Sequence, residues 1–478
     1  MPSPYIPQAF IDYIASQLPP HHSLETFLQT CQRPLRKSIR VNTLFTEVED
    51  FYRKMTARGW KLSPIPWCQQ GFWVERPAEQ ETVQPLGSTP EHLAGQFYIQ
   101  EASSMLPAEI LFGNALPQTV LDMAAAPGSK TTQIAALMQN KGLLVANELS
   151  ASRIKTLAAA IQRLGVNNTA LSHFDAEVFG EWLPESFDGV LLDAPCGGEG
   201  TIRKDPDALR NWSEASIATL SSVQRNLIDS AFKALKPGGY LVYSTCTLNQ
   251  QENQAVCQYL LERYQDAVEI SPLEQAFSGA EKITTEQGFL HVWPQVYDTE
   301  GFFVARLKKV RSLNLPAANA RKAKLPYVPA TRKQRQQFCT YLSDQFGTEL
   351  DDTAQIYVRD REYWLFPDQI APFLTQFRFQ RIGVRLATEH KSGYRLSHDG
   401  ALCLGRHMTR QVLALDTAQL RAFYQGKDLF MPTPPPQGEV ILTWQGSAIG
   451  VGKGLGSKLK NLLPRELVRD KLSDWNHA

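Results

Sequence analysis

The chain has 478 residues, 43% of them hydrophobic and 20% charged, with a formal net charge of +1. That length exceeds a single hydrophobic core, and the near-neutral balance excludes a uniformly basic polyanion binder, so any nucleic acid must be met by local patches. Seven cysteines without paired spacing exclude a disulfide framework or zinc ribbon and suit reduced thiols in a cytosol.

No basic-then-apolar leader opens the sequence, and no apolar run approaches the ~20 residues of a membrane span. A cytoplasmic protein with no membrane partner and no metal site is expected.

Residues 1–95 read as a first α+β unit. An amphipathic helix is expected near Phe10 to Ser16. Arg33, Arg36, Lys37 and Arg40 then place four cations within eight residues, on a segment that ends as a strand. They suit phosphate contact or a solvated charged edge. Trp60, Trp67, Phe72 and Trp73 read as core.

From 96 to 310 strands and helices alternate, which implies a mostly parallel sheet. The first strand, Val120-Leu121-Asp122-Met123, runs into a small-residue loop, Ala124-Ala125-Ala126-Pro127-Gly128-Ser129-Lys130. A helix with Ile134, Leu137 and Met138 on one face follows. Strand, glycine loop and helix open a nucleotide-type α/β fold, and the helix N-terminus offers free N–H groups. The loop is not a P-loop, because Ser129 separates Gly128 from Lys130. Further strands are expected at 142–148, 169–173, 187–193 and 240–244, with helices at 153–164 and 213–235. Pro237-Gly238-Gly239 is expected to stop the second helix. Two late strands, 288–292 and 302–307, suit an antiparallel pair at a sheet edge.

Residues 308–335 carry nine cations and no acid. Their Pro and Ala content suggests a mobile basic linker, whose core is 311–335. A small mixed module is expected over 336–385 and a mainly β unit over 386–478. In the latter, Glu439–Trp444 and Ala448–Val451 flank a Gly446-Ser447 turn as a hairpin. Lys453, Lys458, Lys460, Arg465, Arg469 and Lys471 follow it.

Three acids fall where strands end: Glu148, Asp175 and Asp193. Glu148 stands twenty positions after Gly128, where a nucleotide fold places the carboxylate for ribose hydroxyls. Two cysteines follow successive strands, Cys196 in Asp193-Ala-Pro-Cys-Gly-Gly-Glu-Gly and Cys246 in Ser244-Thr-Cys-Thr. Free cysteines are commonly buried small hydrophobes. On polar loops beside a nucleotide crevice they suggest nucleophilic catalysis.

The segments LDMAAAPGSKT, DAPCGGEG and YSTCTL resemble motifs of the NOL1/NOP2/Sun family of RNA cytosine-5 methyltransferases. Residues 36–42, 98–104 and 301–305 match further family segments in order. The resemblance implies a Rossmann-like seven-stranded sheet and S-adenosyl-L-methionine as cofactor. Ala124 to Lys130, Glu148, Asp175 and Asp193 would hold it. The family assigns addition to cytosine carbon 6 to the cysteine at Cys246, and implicates the one at Cys196 in releasing the adduct. Asp193 would hydrogen-bond the base, and Lys130 would contact Asp193 or the cofactor. The linker and tail resemble a bacterial branch acting on 16S ribosomal RNA of the small subunit, with a PUA-like RNA-binding tail. A monomer is expected. Rival readings are methylation of tRNA or DNA cytosine, and a catalytically silent RNA-binding assembly factor.

Overall fold

A computed structural model of the protein describes residues 3–113, 116–316, 325–472 and 475. The N-terminal unit is an antiparallel sheet of β1 (Ser38–Val41), β2 (Lys61–Ile65), β3 (Cys68–Glu75) and β4 (Phe97–Ile99), ordered β2-β3-β1-β4. Trp60 and Phe72 bury with Ile39 and Phe51 in its own core. Trp67 and Trp73 instead pack into the core of the central domain. The first helix spans Gln8–Gln17 and buries Phe10 and Ile14, which accounts for the amphipathic pattern there.

The central domain contains β5 (Thr119–Asp122), β6 (Leu143–Asn147), β7 (Thr169–Ser172), β8 (Phe187–Asp193), β9 (Leu235–Thr245), β10 (Val268–Ile270), β11 (Leu290–Val292) and β12 (Phe302–Lys309). Across the sheet they run β10-β12-β9-β8-β5-β6-β7. The five from β9 to β7 are parallel. β12 is antiparallel to both β9 and β10. Every residue of β5, β6 and β7 is buried, as expected for strands covered on both faces. The chain leaves β5 for β6 on one side and returns to β8 on the other. The carboxyl ends of β5 and β8 therefore flank the crevice where this class of sheet binds ligands.

Two details of the central domain differ from the sequence reading. The helix Glu214–Ala234, capped by Ser213, ends before Pro237, and Pro237-Gly238-Gly239 lies inside β9. The pairing register with β8 shifts there, between Phe187 and Gly189, so the strand absorbs the irregular residues. β11 and β12 do pair antiparallel, but β12 lies inside the sheet.

Beyond residue 325 a third sheet comprises β13 (Val328–Pro329), β14 (Gln355–Arg359), β15 (Glu362–Phe366), β17 (Val384–His390) and β18 (Gly393–Leu396). The division expected at 385/386 falls within β17. The short β16 (Arg381–Ile382) adds antiparallel to β7 and so caps that edge of the central sheet. Phe373, Phe377 and Ile382 join the central core. The last sheet has β19 (Val412–Ala414), β20 (Leu429–Phe430), β21 (Gly438–Trp444), β22 (Ser447–Leu455) and β23 (Lys458–Asn461), ordered β19-β21-β22-β23-β20. Here β21 and β22 form the expected hairpin.

Much of the basic linker is built structure. Lys309 ends β12 fully buried, donating to Leu235 O at 2.8 Å and pairing with Glu185 at 2.9 Å. Arg332, Lys333 and Arg335 open the helix Arg332–Phe346, and Arg335 binds the carbonyls of Asp351 and Ala354. Arg321, Lys322 and Lys324 lie outside the described residues. Among the described residues no helix is long and apolar enough to cross a membrane.

Candidate active site

The loop after β5 is pinned from several sides. Ala125 N donates to Asn147 O at 2.8 Å, and Thr131 Oγ1 donates to Asp122 Oδ2 at 2.7 Å. The Ala126–Pro127 peptide is cis. Gly128 has φ +106, and a Cβ there would press on Ala160 and Leu157 at 3.1 Å. A side chain would thus strain the turn and push away the helix Arg153–Arg163. The loop helix begins at Ser129, so its first N–H groups have no acceptor within the helix.

The residues around this loop fit a nucleoside cofactor. Glu148 directly follows β6, is 3% exposed, and accepts from Ser150 N at 2.8 Å and Ala126 N at 3.3 Å. Those bonds fix its carboxylate and leave lone pairs for ribose hydroxyls. Asp122 Oδ1 is buried and meets no donor among the described residues. Burial lifts the Asp122 carboxyl to about 7. Asp175 is exposed past the end of β7 and caps a short turn through Glu177 N at 3.0 Å.

A second group of side chains gathers at the ends of β8 and β9. Lys130 Nζ donates to Asp193 Oδ2 at 2.7 Å and to Ser104 Oγ at 3.1 Å. Ser244 Oγ donates to Asp193 Oδ1 at 2.7 Å. Burial alone would lower the Lys130 ammonium, but Asp193 outweighs it and the group is raised. Lysine therefore stays charged beside the Asp193 carboxylate. Cys196 Sγ lies 3.3 Å from Cys246 Sγ. The bond to Cys246, then burial, push the Cys196 thiol well above its ordinary range.

Of the residues singled out in the sequence, the structure brings Lys130 against Asp193, Cys196 against Cys246, and Glu148 against the loop at Ala126; among the described residues Asp175 bonds only within its own turn, to Glu177 N. Arg40 takes neither of its expected roles. It is 2% exposed and donates to Gln100 Oε1 and Ser129 O, both at 2.6 Å, and to Thr132 Oγ1 at 2.9 Å. Burial lowers its guanidinium to about 10. It fastens the N-terminal sheet to the first turn of the helix Ser129–Leu137. Arg36 stacks on Trp73 at 4.1 Å and Lys37 pairs with Glu81, leaving Arg33 exposed. Ser104, Ser244, Glu199 and Glu252 had no assigned role in the sequence. Each lies within a quoted motif or four residues beyond one, and that proximity was the available signal.

A seven-strand order with one reversed strand, and a ligand crevice at its switch point, defines a Rossmann-like methyltransferase. Residues 113–308 match the model of the 16S rRNA methyltransferase RsmB/F, and residues 6–102 the N-terminal domain of 16S rRNA methyltransferase RsmF. Residues 327–404 match the pre-PUA domain of ribosomal RNA small subunit methyltransferase F, and 410–469 the methyltransferase RsmF PUA domain. The chain is 51% identical to ribosomal RNA small subunit methyltransferase F of Vibrio parahaemolyticus, over 98% of this chain and 99% of that one. The Vibrio cholerae protein of the same name is 52% identical, over 98% and 99%. A solved methyltransferase homolog from Pyrococcus horikoshii is 32% identical with a TM-score of 0.52, covering 64% of this chain and 100% of that one. The chain belongs to the 16S rRNA methyltransferase RsmB/F family.

Proposed function

We propose that this enzyme transfers a methyl group from S-adenosyl-L-methionine to carbon 5 of a cytosine in 16S ribosomal RNA, through a covalent adduct with Cys246. The observation that carries the reading is the pair of thiols 3.3 Å apart beside the Lys130–Asp193 pair. Carbon 5 of cytosine is a poor nucleophile. A thiolate adding to carbon 6 turns the ring into an enamine that can attack an electrophilic methyl. Bound S-adenosyl-L-methionine supplies that methyl as a sulfonium.

Each residue has a part. Residues 124–130 and Glu148 hold the cofactor, with Asp175 at its outer edge. Lys130 and Ser244 fix the Asp193 carboxylate, which hydrogen-bonds the base and stabilises the adduct. Cys246 forms the carbon–sulfur bond. After transfer, carbon 5 gives its hydrogen as a proton to water, the electron pair of that bond re-forms the 5,6 double bond, and the carbon 6–sulfur bond breaks, returning Cys246 as thiolate. Cys196, in contact with the same sulfur, assists this release. A paired base is out of reach, so the target is unpaired or flipped out. The family tail and its cations support RNA as the polymer.

The test incubates the purified protein and labelled cofactor with 16S RNA, small subunits, transfer RNA and DNA. Nucleoside mass analysis then identifies the product. 5-Methylcytidine in 16S RNA is expected. Methylation at another atom, or only of DNA, would sink the reading.

A further inference from the structure

The two thiol loops are joined by more than their sulfurs. Each contributes a fully buried glutamate that accepts hydrogen bonds from the other. Glu199, on the Cys196 loop, accepts from Leu248 N at 3.0 Å and Thr247 Oγ1 at 2.8 Å, both on the Cys246 loop. Its other oxygen accepts from Trp212 Nε1 at 2.7 Å. Glu252, beyond Cys246, accepts from Gly197 N at 2.9 Å, the residue after Cys196. Asn249 at 2.7 Å and Gln224 at 2.8 Å complete its shell, and Gln224 also holds Pro195 O at 2.8 Å. Gly200 N donates to Cys246 O at 2.9 Å, so the loops touch backbone to backbone, and a Cβ at Gly200 would meet Gly301 O, just before β12, at 2.1 Å.

We propose that Glu199 and Glu252 form a reciprocal clasp that sets the spacing of the two thiols, and are positioning residues for the release step. The proposal rests on the two-thiol mechanism above and deepens it. Apart from the Thr247 hydroxyl, 2.8 Å from Glu199 and 3.5 Å from Glu252, every group facing these carboxylates is an N–H donor, and each carboxylate oxygen meets at least one. Glutamine, the isosteric neutral replacement, must therefore turn its own NH2 against a donor in either orientation. A buried acceptor replaced by a donor loses its bonds and leaves its partners unpaired. The loops then separate, although neither glutamate needs to touch the substrate.

The spacing can be read without any methyl transfer. Diamide, a two-electron azo oxidant, takes both thiol hydrogens onto its nitrogen–nitrogen double bond as the S–S bond forms. Peptide mapping follows the Cys196–Cys246 cross-link in the full chain. Glu252→Gln and Glu199→Gln are each expected to slow it about tenfold or more. With 16S RNA, Glu252→Gln is expected to keep KM for RNA within about twofold, to lower kcat about tenfold or more, and to accumulate a denaturation-resistant RNA adduct. If Glu252→Gln does not fold, as judged by circular dichroism, Gln224→Ala removes a single donor and carries the test in the same direction. Cross-linking at the wild-type rate in folded variants overturns the clasp. Slowed cross-linking in a protein that makes no 5-methylcytidine upholds the clasp and sinks only the methylation reading.

Discussion

Cys196 and Cys246 lie 50 positions apart in the chain, yet their sulfurs are 3.3 Å apart. Parallel pairing of β8 with β9 produces this, with Asp193 opposite Ser244, so that the loops after both strands leave the sheet together. The pair makes the two thiols separable by experiment. Cys246→Ala is expected to be inactive and to form no covalent complex with RNA. Cys196→Ala is expected to attack and then stall, leaving an adduct stable to denaturing electrophoresis. The double variant should form none. An adduct found only in Cys246→Ala would reverse the two roles. Near-normal turnover in both would reduce the cysteines to packing.

The Lys130–Asp193 pair predicts a coupling. Lys130→Met strands the Asp193 carboxylate in a site where its side chain is 29% exposed. A destabilisation of about 2–3 kcal/mol is expected, discounted from a fully buried pair for that exposure. Asp193→Asn in the same chain should recover part of it, so the double variant is less than additive by urea melts. Activity is not recovered: Asp193→Asn alone is expected to lower kcat/KM by about 10²–10⁴. Strict additivity in the melts would mean the pair does not couple.

Glu148→Ala removes an acceptor already oriented by two backbone N–H groups. Binding of S-adenosyl-L-methionine, measured by calorimetry on folded variant, is expected to weaken by about 1–3 kcal/mol. Wild-type affinity would take Glu148 out of the site.

The sheet and the site were legible to different depths. Buried runs such as Leu143–Asn147 and Phe187–Asp193 announce strands, because a strand covered on both faces has little room for polar residues. The small loop after β5 announces a ligand crevice, because only small residues permit backbone approach. Arg40 was not legible. Its charge suggests surface, and only the fold shows that Gln100, Ser129 and Thr132 supply enough acceptors to bury it. Nor was β16, whose two residues are too few for periodicity and whose partner β7 is about two hundred positions away. Lys309 misled for the same reason as Arg40: a local window does not contain Glu185.

His291 gives a pH prediction. It is 6% exposed, stacks 4.6 Å from Trp293, and burial lowers its imidazole to about 3. A depressed folded-state value means full stability above the unfolded value near 6.5, lost as pH falls toward 3. In that window the unfolded chain binds the extra proton. Replacement by phenylalanine keeps the ring stack and removes the titration. The wild-type melting temperature should therefore fall relative to His291→Phe between pH 7 and 5, by the equivalent of about 2 kcal/mol at pH 5. A pH-independent difference would show that His291 does not stay neutral in the fold.

The last prediction concerns how RNA is anchored. Removing everything beyond Lys308 would strip Phe373, Phe377 and Ile382 from the central core, so such a truncation tests folding as much as binding. The last sheet offers a cleaner site. Lys453 on β22 faces Lys460 on β23, and both are exposed. Like charges directly opposite each other on neighbouring strands repel, and a bound polyanion relieves the repulsion. Lys460→Ala is expected to leave the melting temperature unchanged or slightly higher, because it removes a facing cation. Lys453→Ala with Lys460→Ala is expected to weaken RNA binding and to flatten the dependence of log K on log salt by about 1.4 for a single-stranded site, or about 1.8 for a duplex. Titrations at several salt concentrations measure that slope on the folded double variant. An unchanged slope would assign both lysines to solvated surface and move the RNA path elsewhere.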